Sequence, residues 1–203
     1  MSRTFNIENK DYYEKGKIIF SKQQAIIDPG VTVLVGCNGS GKTTLINIIR
    51  TQLENEEIKY ISFDNLRDGG YYAKERAGFY GDAKFLATSL TSSEGENIIL
   101  NMSNIVQKIG NYARLDKKEL WVLLDAVDSG LSIDNIIDLK DLFNLIINTN
   151  TDKDVYIIIS ANEYELAREE QCFDVYSLKY ITFKDYEDYR KFIIKSKERK
   201  DNI

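Results

Sequence analysis

The sequence has 203 residues, of which 43% are hydrophobic and 29% charged, and its formal net charge is −5. This length and composition predict a single globular domain over residues 1–203, and the acidic balance gives no overall electrostatic support for nucleic-acid binding. No apolar run approaches the roughly 20 residues of a membrane-spanning helix, and the polar start does not resemble a signal peptide. We therefore expect a cytoplasmic protein without membrane insertion.

The N-terminal part predicts a small antiparallel β element. Two short β-rich runs, at residues 17–20 and 25–27, lack the length for helices and favour a hairpin. Asp28-Pro29-Gly30 then predicts a turn, because proline presets φ and glycine accepts positive φ. The turn leads into a buried strand over residues 31–35.

A glycine-rich loop follows that strand and leads into a helix from about Lys42 to Leu53. The loop and first helical residues fit the pattern G-x-x-x-x-G-K-[ST]: Gly36, Cys37, Asn38, Gly39, Ser40, Gly41, Lys42, Thr43 and Thr44. The glycines let successive backbone N–H groups approach a phosphate chain at the positive end of the helix. Lys42 would reach the β- and γ-phosphates, and the Thr43 hydroxyl would bind Mg²⁺. The sequence therefore predicts a phosphate site here.

The next segment runs from a strand into a region of mixed character. The strand at residues 58–63 ends at Asp64-Asn65. Residues 66–87 are rich in glycine, aromatic and charged residues, which fits either a surface lobe with inward-packed aromatics or a nucleic-acid contact. After residues 91–96, helical periodicity resumes from Asn97 to about Arg114.

A continuous apolar strand from Leu120 ends in one acid, Asp125. This arrangement places a carboxylate at the carboxyl edge of a parallel sheet, near the predicted phosphate site. Asp125 is therefore the candidate residue for orienting Mg²⁺ through water. A helix to about Asn148 follows, and then a buried strand at residues 155–159.

The C-terminal part predicts a short helix at 163–170, a hairpin at 175–183 and a helix from about Lys184. Four apolar residues of the last helix share one face: Tyr186, Tyr189, Phe192 and Ile193. Four basic residues crowd its end, where cations suit the helix dipole: Lys195, Lys197, Arg199 and Lys200. We interpret that end as solvated. The alternation of strands and helices predicts an α/β fold with a mainly parallel sheet and helices on both faces.

The ordered motifs resemble those of ABC-type ATPases, within the soluble branch that includes SMC and RecF-like proteins, over about residues 17–183. The loop residues 36–45 resemble that family's phosphate loop, and residues 120–125 resemble Walker B. Other positions match by order: a degenerate signature motif (Ser92, Ser93, Gly95, Glu96), the D-loop (Ser129, Gly130, Leu131) and the switch-histidine position (Asn162). Asp64 occupies the Q-loop position without its glutamine, and the resemblance makes it a further candidate metal residue.

The resemblance implies a P-loop NTPase fold of the ABC type that uses ATP and Mg²⁺. It implies a homodimer formed on ATP binding, in which Ser93 and Gly95 of one copy touch the γ-phosphate held by the other. Residues 66–114 would form the partner-facing lobe, and DNA or another protein is a possible partner. Lys42 and Ser93 are only 51 positions apart (93 − 42), which is similar to compact stand-alone ATPases encoded by bacteriophages and mobile elements.

The main departure from the family pattern is Ala126, which occupies the position of the catalytic glutamate. We expect impaired hydrolysis, because removing a positioned general base costs ~10²–10⁴-fold in rate. The alanine is an engineered substitution, the natural residue of a slow or inactive switch, or a sign that Asp128 supplies the carboxylate. Asn162 can still donate a hydrogen bond.

The alternative functions are a non-hydrolysing ATP-dependent switch or binding module, a transporter ATPase subunit and a small-molecule kinase.

Overall fold

The computed structural model describes residues 1–7, 19–64, 107–112, 114, 118–129 and 131–202. The strands in these ranges are β1 (Arg3–Asn6), β2 (Gln24–Ile27), β3 (Gly30–Val35), β4 (Ile61–Asp64), β5 (Glu119–Asp125), β6 (Asp154–Ser160), β7 (Gln171–Asp174) and β8 (Lys179–Ile181). The helices are α1 (Lys42–Asn55), α2 (Ile133–Thr149), α3 (Tyr164–Ala167) and α4 (Tyr186–Asp201), and residues 107–112 are also helical.

The main sheet has the strand order β4-β5-β6-β3-β7-β8. All neighbouring strands are parallel except β8, which pairs antiparallel with β7 at one edge. Strands β3, β5 and β6 are almost entirely buried, as expected for parallel strands covered on both faces. The predicted α/β fold with a mainly parallel sheet is confirmed.

Two hydrophobic clusters lie on opposite faces of this sheet. One joins α1 and the β1–β2 pair to the sheet, through residues such as Leu45, Ile49 and Phe5. The other joins α2 and α4 to the opposite face, through residues such as Phe143 and Tyr189. Helices therefore cover both faces, and the carboxyl ends of β3, β5 and β6 lie along one edge of the sheet.

An N-terminal antiparallel pair is confirmed, but its first strand differs from the prediction. β1 is Arg3–Asn6, and it pairs with β2 in the register Arg3 to Ile27. Residues 19 and 20 are not in a strand, whereas 17 and 18 lie outside the described residues. The run was misleading because Phe20 is buried by packing in a hydrophobic cluster without strand pairing.

The C-terminal hairpin also begins earlier than the sequence predicts. Val175–Leu178 form the turn, and the strand before it, β7, pairs with β3 in the main sheet. The Asp174 carboxylate accepts a hydrogen bond from Tyr176 N, and Leu178 adopts a positive φ of 51°. An aspartate that binds a backbone N–H two residues ahead is a common turn former, and here it overrides the β propensity of valine and tyrosine.

Several predictions fall on residues outside the described ranges. These are the lobe at 66–87, the segment at 91–96 and most of the helix at 97–114, of which residues 107–112 are helical as expected. Within the described ranges, no helix has the length and apolar content needed to cross a membrane.

Candidate functional site

The predicted phosphate loop connects the end of β3 to the start of α1. Its backbone requires glycine at two points. Gly36 has φ 155° and Gly41 has φ 101°, a region that side chains disfavour. A Cβ at Gly36 would lie 2.4 Å from Ser40 Oγ, and one at Gly41 would lie 2.6 Å from Ile19 Cγ2. The loop can take this shape only because both positions lack a side chain.

The N-terminus of α1 has the features of an anion site. Gly41 is the N-cap residue and provides no side-chain cap, and the first turn carries no acidic residue. The backbone N–H groups of that turn thus remain available for an anion, at the positive end of the helix. The Ser40 hydroxyl oxygen is buried and has no hydrogen-bond partner among the described residues. These observations fit a phosphate chain bound in the loop.

Lys42 is the cation of the loop, and its side chain is only 9% exposed. Its Nζ donates hydrogen bonds to Gly36 O at 2.8 Å and Cys37 O at 3.3 Å. Burial lowers the pKa of the Lys42 ammonium, and electrostatic interactions with Cys37, Asp128 and Asp125 oppose that shift. The lysine is therefore held inside the loop, where it interacts electrostatically with two carboxylates at the end of β5 and in the turn after it.

Asp125 ends β5, as predicted, and is 6% exposed. Its Oδ1 accepts a hydrogen bond from the hydroxyl of Ser160, the last residue of β6. The same Ser160 oxygen accepts a hydrogen bond of 2.8 Å from Ala126 N. Ala126 itself has a positive φ of 51°, which is uncommon for a residue with a side chain. Ser160 thus ties the ends of β5 and β6 together, a role that the sequence did not reveal.

Asp128 connects the turn after β5 to the segment after β6. It is 2% exposed, and its Oδ2 accepts hydrogen bonds from the backbone N–H groups of Asn162 (2.6 Å) and Glu163 (2.7 Å). Its Oδ1 is buried without a hydrogen bond in the described part of the chain. Tyr189 of α4 donates a hydrogen bond of 3.0 Å to Asn162 O. The backbone at the switch position is therefore held from two sides.

The predicted metal residues present oxygen donors, which Mg²⁺ prefers. Thr43 is exposed in the first turn of α1, and Asp125 ends β5 two strands away in the sheet. Asp64 ends β4 and lies directly beside Asp125 in the strand register. Hydroxyl and carboxylate side chains at the edge next to the phosphate loop fit a hydrated Mg²⁺, for which Thr43 and Asp125 are the candidate residues.

The basic end of α4 is exposed at Lys195, Lys197 and Lys200, as predicted, but the same end also contacts the phosphate loop. Ser196 is buried, and its Oγ accepts a hydrogen bond of 3.1 Å from Cys37 N. Lys200 Nζ donates a hydrogen bond of 3.1 Å to Asn38 O. Arg199 pairs with Asp174 and lies over the ring of Tyr176. The sequence did not reveal these loop contacts, because they join residues 159 and 162 positions apart and no local pattern encodes them.

Other predicted site residues are only partly covered. Ser92, Ser93, Gly95, Glu96 and Gly130 lie outside the described residues. Ser129 and Leu131 lie in the turns after β5, where Ser129 N donates to Ala126 O and Leu131 N donates to Asp128 O. The structure thus brings together the phosphate loop, Asp64, Asp125 and Asn162 but gives no position for the signature motif.

The sequence matches a family model described as an AAA domain over residues 26–168. Comparison with curated proteins gives no match. The matched range begins in β2 and ends just after α3, so it includes the phosphate loop, Asp125 and Asn162. Because the match covers well over half of the 203 residues, the chain belongs to the AAA domain family and is a P-loop NTPase of the AAA type.

Proposed function

We propose that the protein binds Mg-ATP in the loop from Gly36 to Thr44 and uses it as a switch, with weak hydrolysis. One observation carries this proposal: the buried Lys42 lies in a loop with an uncapped helix N-terminus and interacts electrostatically with two buried carboxylates, Asp125 and Asp128. The Lys42 ammonium and the backbone N–H groups at the start of α1 are suited to bind phosphates, and the two carboxylates are suited to bind a hydrated metal ion.

Each residue has a defined task in this proposal. Lys42 moves from the carbonyls of Gly36 and Cys37 toward the phosphate chain, because a charge-assisted hydrogen bond is stronger than one to a neutral carbonyl. Thr43 and Asp125 hold Mg²⁺ and its water ligands. When bound, the metal ion neutralises phosphate charge. Asn162 takes the switch position and offers a side-chain amide to the terminal phosphate.

A direct binding experiment tests the proposal. Isothermal titration calorimetry of the full chain with ATP, in the presence of Mg²⁺ and then of EDTA, should show saturable binding that weakens without the metal ion. Competition with GTP measures the preference for the base. A chain that binds no nucleotide under either condition would refute the proposed function.

Pairing of two copies is the second part of the proposal. It rests on the resemblance to ABC-type ATPases of the SMC and RecF-like branch, in which Ser93 and Gly95 complete the partner's site. Nucleotide that binds only the paired state stabilises the dimer by mass action. Light scattering with and without Mg-ATP measures this effect directly. A mass that stays monomeric at saturating Mg-ATP would exclude nucleotide-dependent pairing.

The weak-hydrolysis part rests on Ala126. A methyl side chain cannot accept a proton from water, so the position supplies no general base. Asp128, two residues further along the chain, is the alternative carboxylate, but its Oδ2 is engaged with two backbone N–H groups. The alternative function is therefore a non-hydrolysing ATP-dependent binding module that acts on a partner protein or DNA. A pull-down with the Mg-ATP-bound protein, repeated with ADP, would identify a partner specific to the ATP state.

A further inference from the structure

The C-terminal end of α4 lies against the first half of the phosphate loop. Ser196 and Lys200 are four residues apart and therefore share one face of the helix. Ser196 Oγ accepts the hydrogen bond from Cys37 N at 3.1 Å, and Lys200 Nζ donates to Asn38 O at 3.1 Å. The Lys200 side chain also lies close to Gly39: a Cβ added at Gly39 would be 3.8 Å from both Cδ and Nζ of Lys200. Two successive loop segments thus contact the same helix face.

The first contact fixes the peptide plane between Gly36 and Cys37. In a planar trans peptide, the carbonyl and the following N–H point in opposite directions. The Cys37 N–H points to Ser196, and the Gly36 carbonyl on the other side accepts the hydrogen bond of 2.8 Å from Lys42 Nζ. Ser196 and Lys42 therefore hold one peptide plane from its two edges, so Ser196 helps to set where the Lys42 ammonium lies.

The second contact fixes the peptide plane between Asn38 and Gly39. Lys200 holds the Asn38 carbonyl on the side facing α4. By the same geometry, the Gly39 N–H is turned away from α4. A phosphate loop works by aiming such N–H groups at the ligand. Lys200 thus fixes the direction of one such N–H group, away from α4, before any ligand arrives.

We propose that Ser196 and Lys200 are positioning residues that pre-organise the phosphate loop for a nucleotide triphosphate. This inference rests on the proposed function for the identity of the ligand. Neither residue needs to touch the nucleotide, since both act through backbone groups of residues 37–39. Without these two residues, the loop would be less ordered before binding and would lose more conformational entropy when the nucleotide binds.

The test combines binding with a measurement made without nucleotide. Four variants of the full chain are compared with the wild type: Ser196→Ala, Lys200→Met, Lys200→Arg and Lys197→Met. Calorimetry gives the Kd for Mg-ATP, and hydrogen–deuterium exchange of the nucleotide-free protein reports on the backbone of residues 36–41. Melting curves verify that each variant is folded. Lys197 is the matched control because it is an exposed lysine on the same helix.

The proposal predicts a specific pattern of results across the four variants. Ser196→Ala and Lys200→Met should each raise the Kd by about two- to tenfold, the effect of one hydrogen bond. Both should speed amide exchange in the loop peptides. Lys200→Arg should restore the wild-type values, because arginine keeps a donor. Lys197→Met removes the same charge from an exposed site and should change the Kd by less than about twofold.

Two outcomes would overturn the proposal. One is unchanged loop exchange in both Ser196→Ala and Lys200→Met. The other is an equal loss of affinity in Lys200→Met and Lys197→Met, which would reflect charge alone. If the wild type fails to bind Mg-ATP, the proposed function falls, whereas the exchange data still decide whether α4 orders the loop.

Discussion

The two halves of the candidate site are held in place by different means. The loop half, residues 36–44, depends on backbone turns that only glycine allows and on carbonyls that surround the Lys42 ammonium. The acid half, residues 125–129 with 160–162, depends on two carboxylates that accept hydrogen bonds from neighbouring segments. The loop half is thus ordered by its own backbone and by α4, and the acid half by side chains that cross from β5 to β6.

This difference explains what each half can bind. The loop half buries a positive charge beside free N–H groups, an arrangement suited to an anion. The acid half buries the negative charges of Asp125 and Asp128, an arrangement suited to a hydrated cation. A buried charge is tolerated only when it is paired or hydrogen-bonded. Substitutions in the two halves should therefore affect binding, catalysis and stability to different degrees.

The largest effect is expected from restoring a base in the acid half. Ala126→Glu should raise the single-turnover rate of ATP hydrolysis by ~10²–10⁴-fold, because it supplies a carboxylate for the attacking water. The measurement is phosphate release from the full chain at saturating Mg-ATP. Ala126→Gln is the matched control, because glutamine has nearly the same shape but cannot take the proton. Fast hydrolysis in the wild type, unchanged in Ala126→Glu, would show that Ala126 does not limit turnover.

A smaller but still large effect is expected in the loop half. Lys42→Ala removes the cation that is poised for the phosphates and should weaken Mg-ATP binding by ~10- to 100-fold, the effect of one strong charge-assisted contact. Calorimetry measures the Kd, with Lys191→Ala as a control at an exposed lysine of α4. Retained affinity in Lys42→Ala together with a normal melting curve would contradict the assignment of this loop as the phosphate site.

The loop half was the more predictable of the two from sequence. The glycines, Lys42 and Thr43 form a local pattern, so their spacing alone places them on one loop and helix start. Asp125 was found because a continuous apolar strand precedes it. Ser160 and Tyr189 were not found, since a serine at a strand end and a tyrosine on a helix have no local signature, and their partners lie 35 and 27 positions away.

The same physical reason limits what the sequence predicts about the fold. The sheet order that puts β6 between β3 and β5 depends on long-range pairing, which hydrophobic periodicity does not encode. The main strands and α1, α2 and α4 were predicted because their burial creates clear apolar patterns. β1 was missed because it is four residues long, with one buried side chain, Phe5.

The next largest effect is expected on stability, from the buried carboxylate of the acid half. Asp128→Ala leaves the N–H groups of Asn162 and Glu163 without their acceptor and should lower the free energy of unfolding by about 2 kcal/mol. Asp128→Asn keeps an acceptor oxygen and should lose less. Urea denaturation of the full chain measures both. Equal stability of Asp128→Ala and the wild type would show that these hydrogen bonds do not hold the acid half together.

The smallest effect is expected from the hydroxyl that ties α4 to the acid half. Tyr189→Phe removes the donor to Asn162 O and should lower the free energy of unfolding by about 1 kcal/mol.

Burial raises the pKa of the Tyr189 phenol above its usual value of 10.0, so the phenol stays protonated in the folded protein at a pH where it ionises in the unfolded chain. The difference in unfolding free energy between the wild type and Tyr189→Phe should therefore stay constant from pH 6 to 9. Above about pH 10 it should shrink, because ionisation of Tyr189 in the unfolded chain destabilises the folded wild type and has no counterpart in the phenylalanine variant. Tyr186→Phe, at an exposed tyrosine of the same helix, is the control and should change little. A difference between Tyr189→Phe and the wild type that grows above pH 10 would contradict the burial of a neutral phenol at this position.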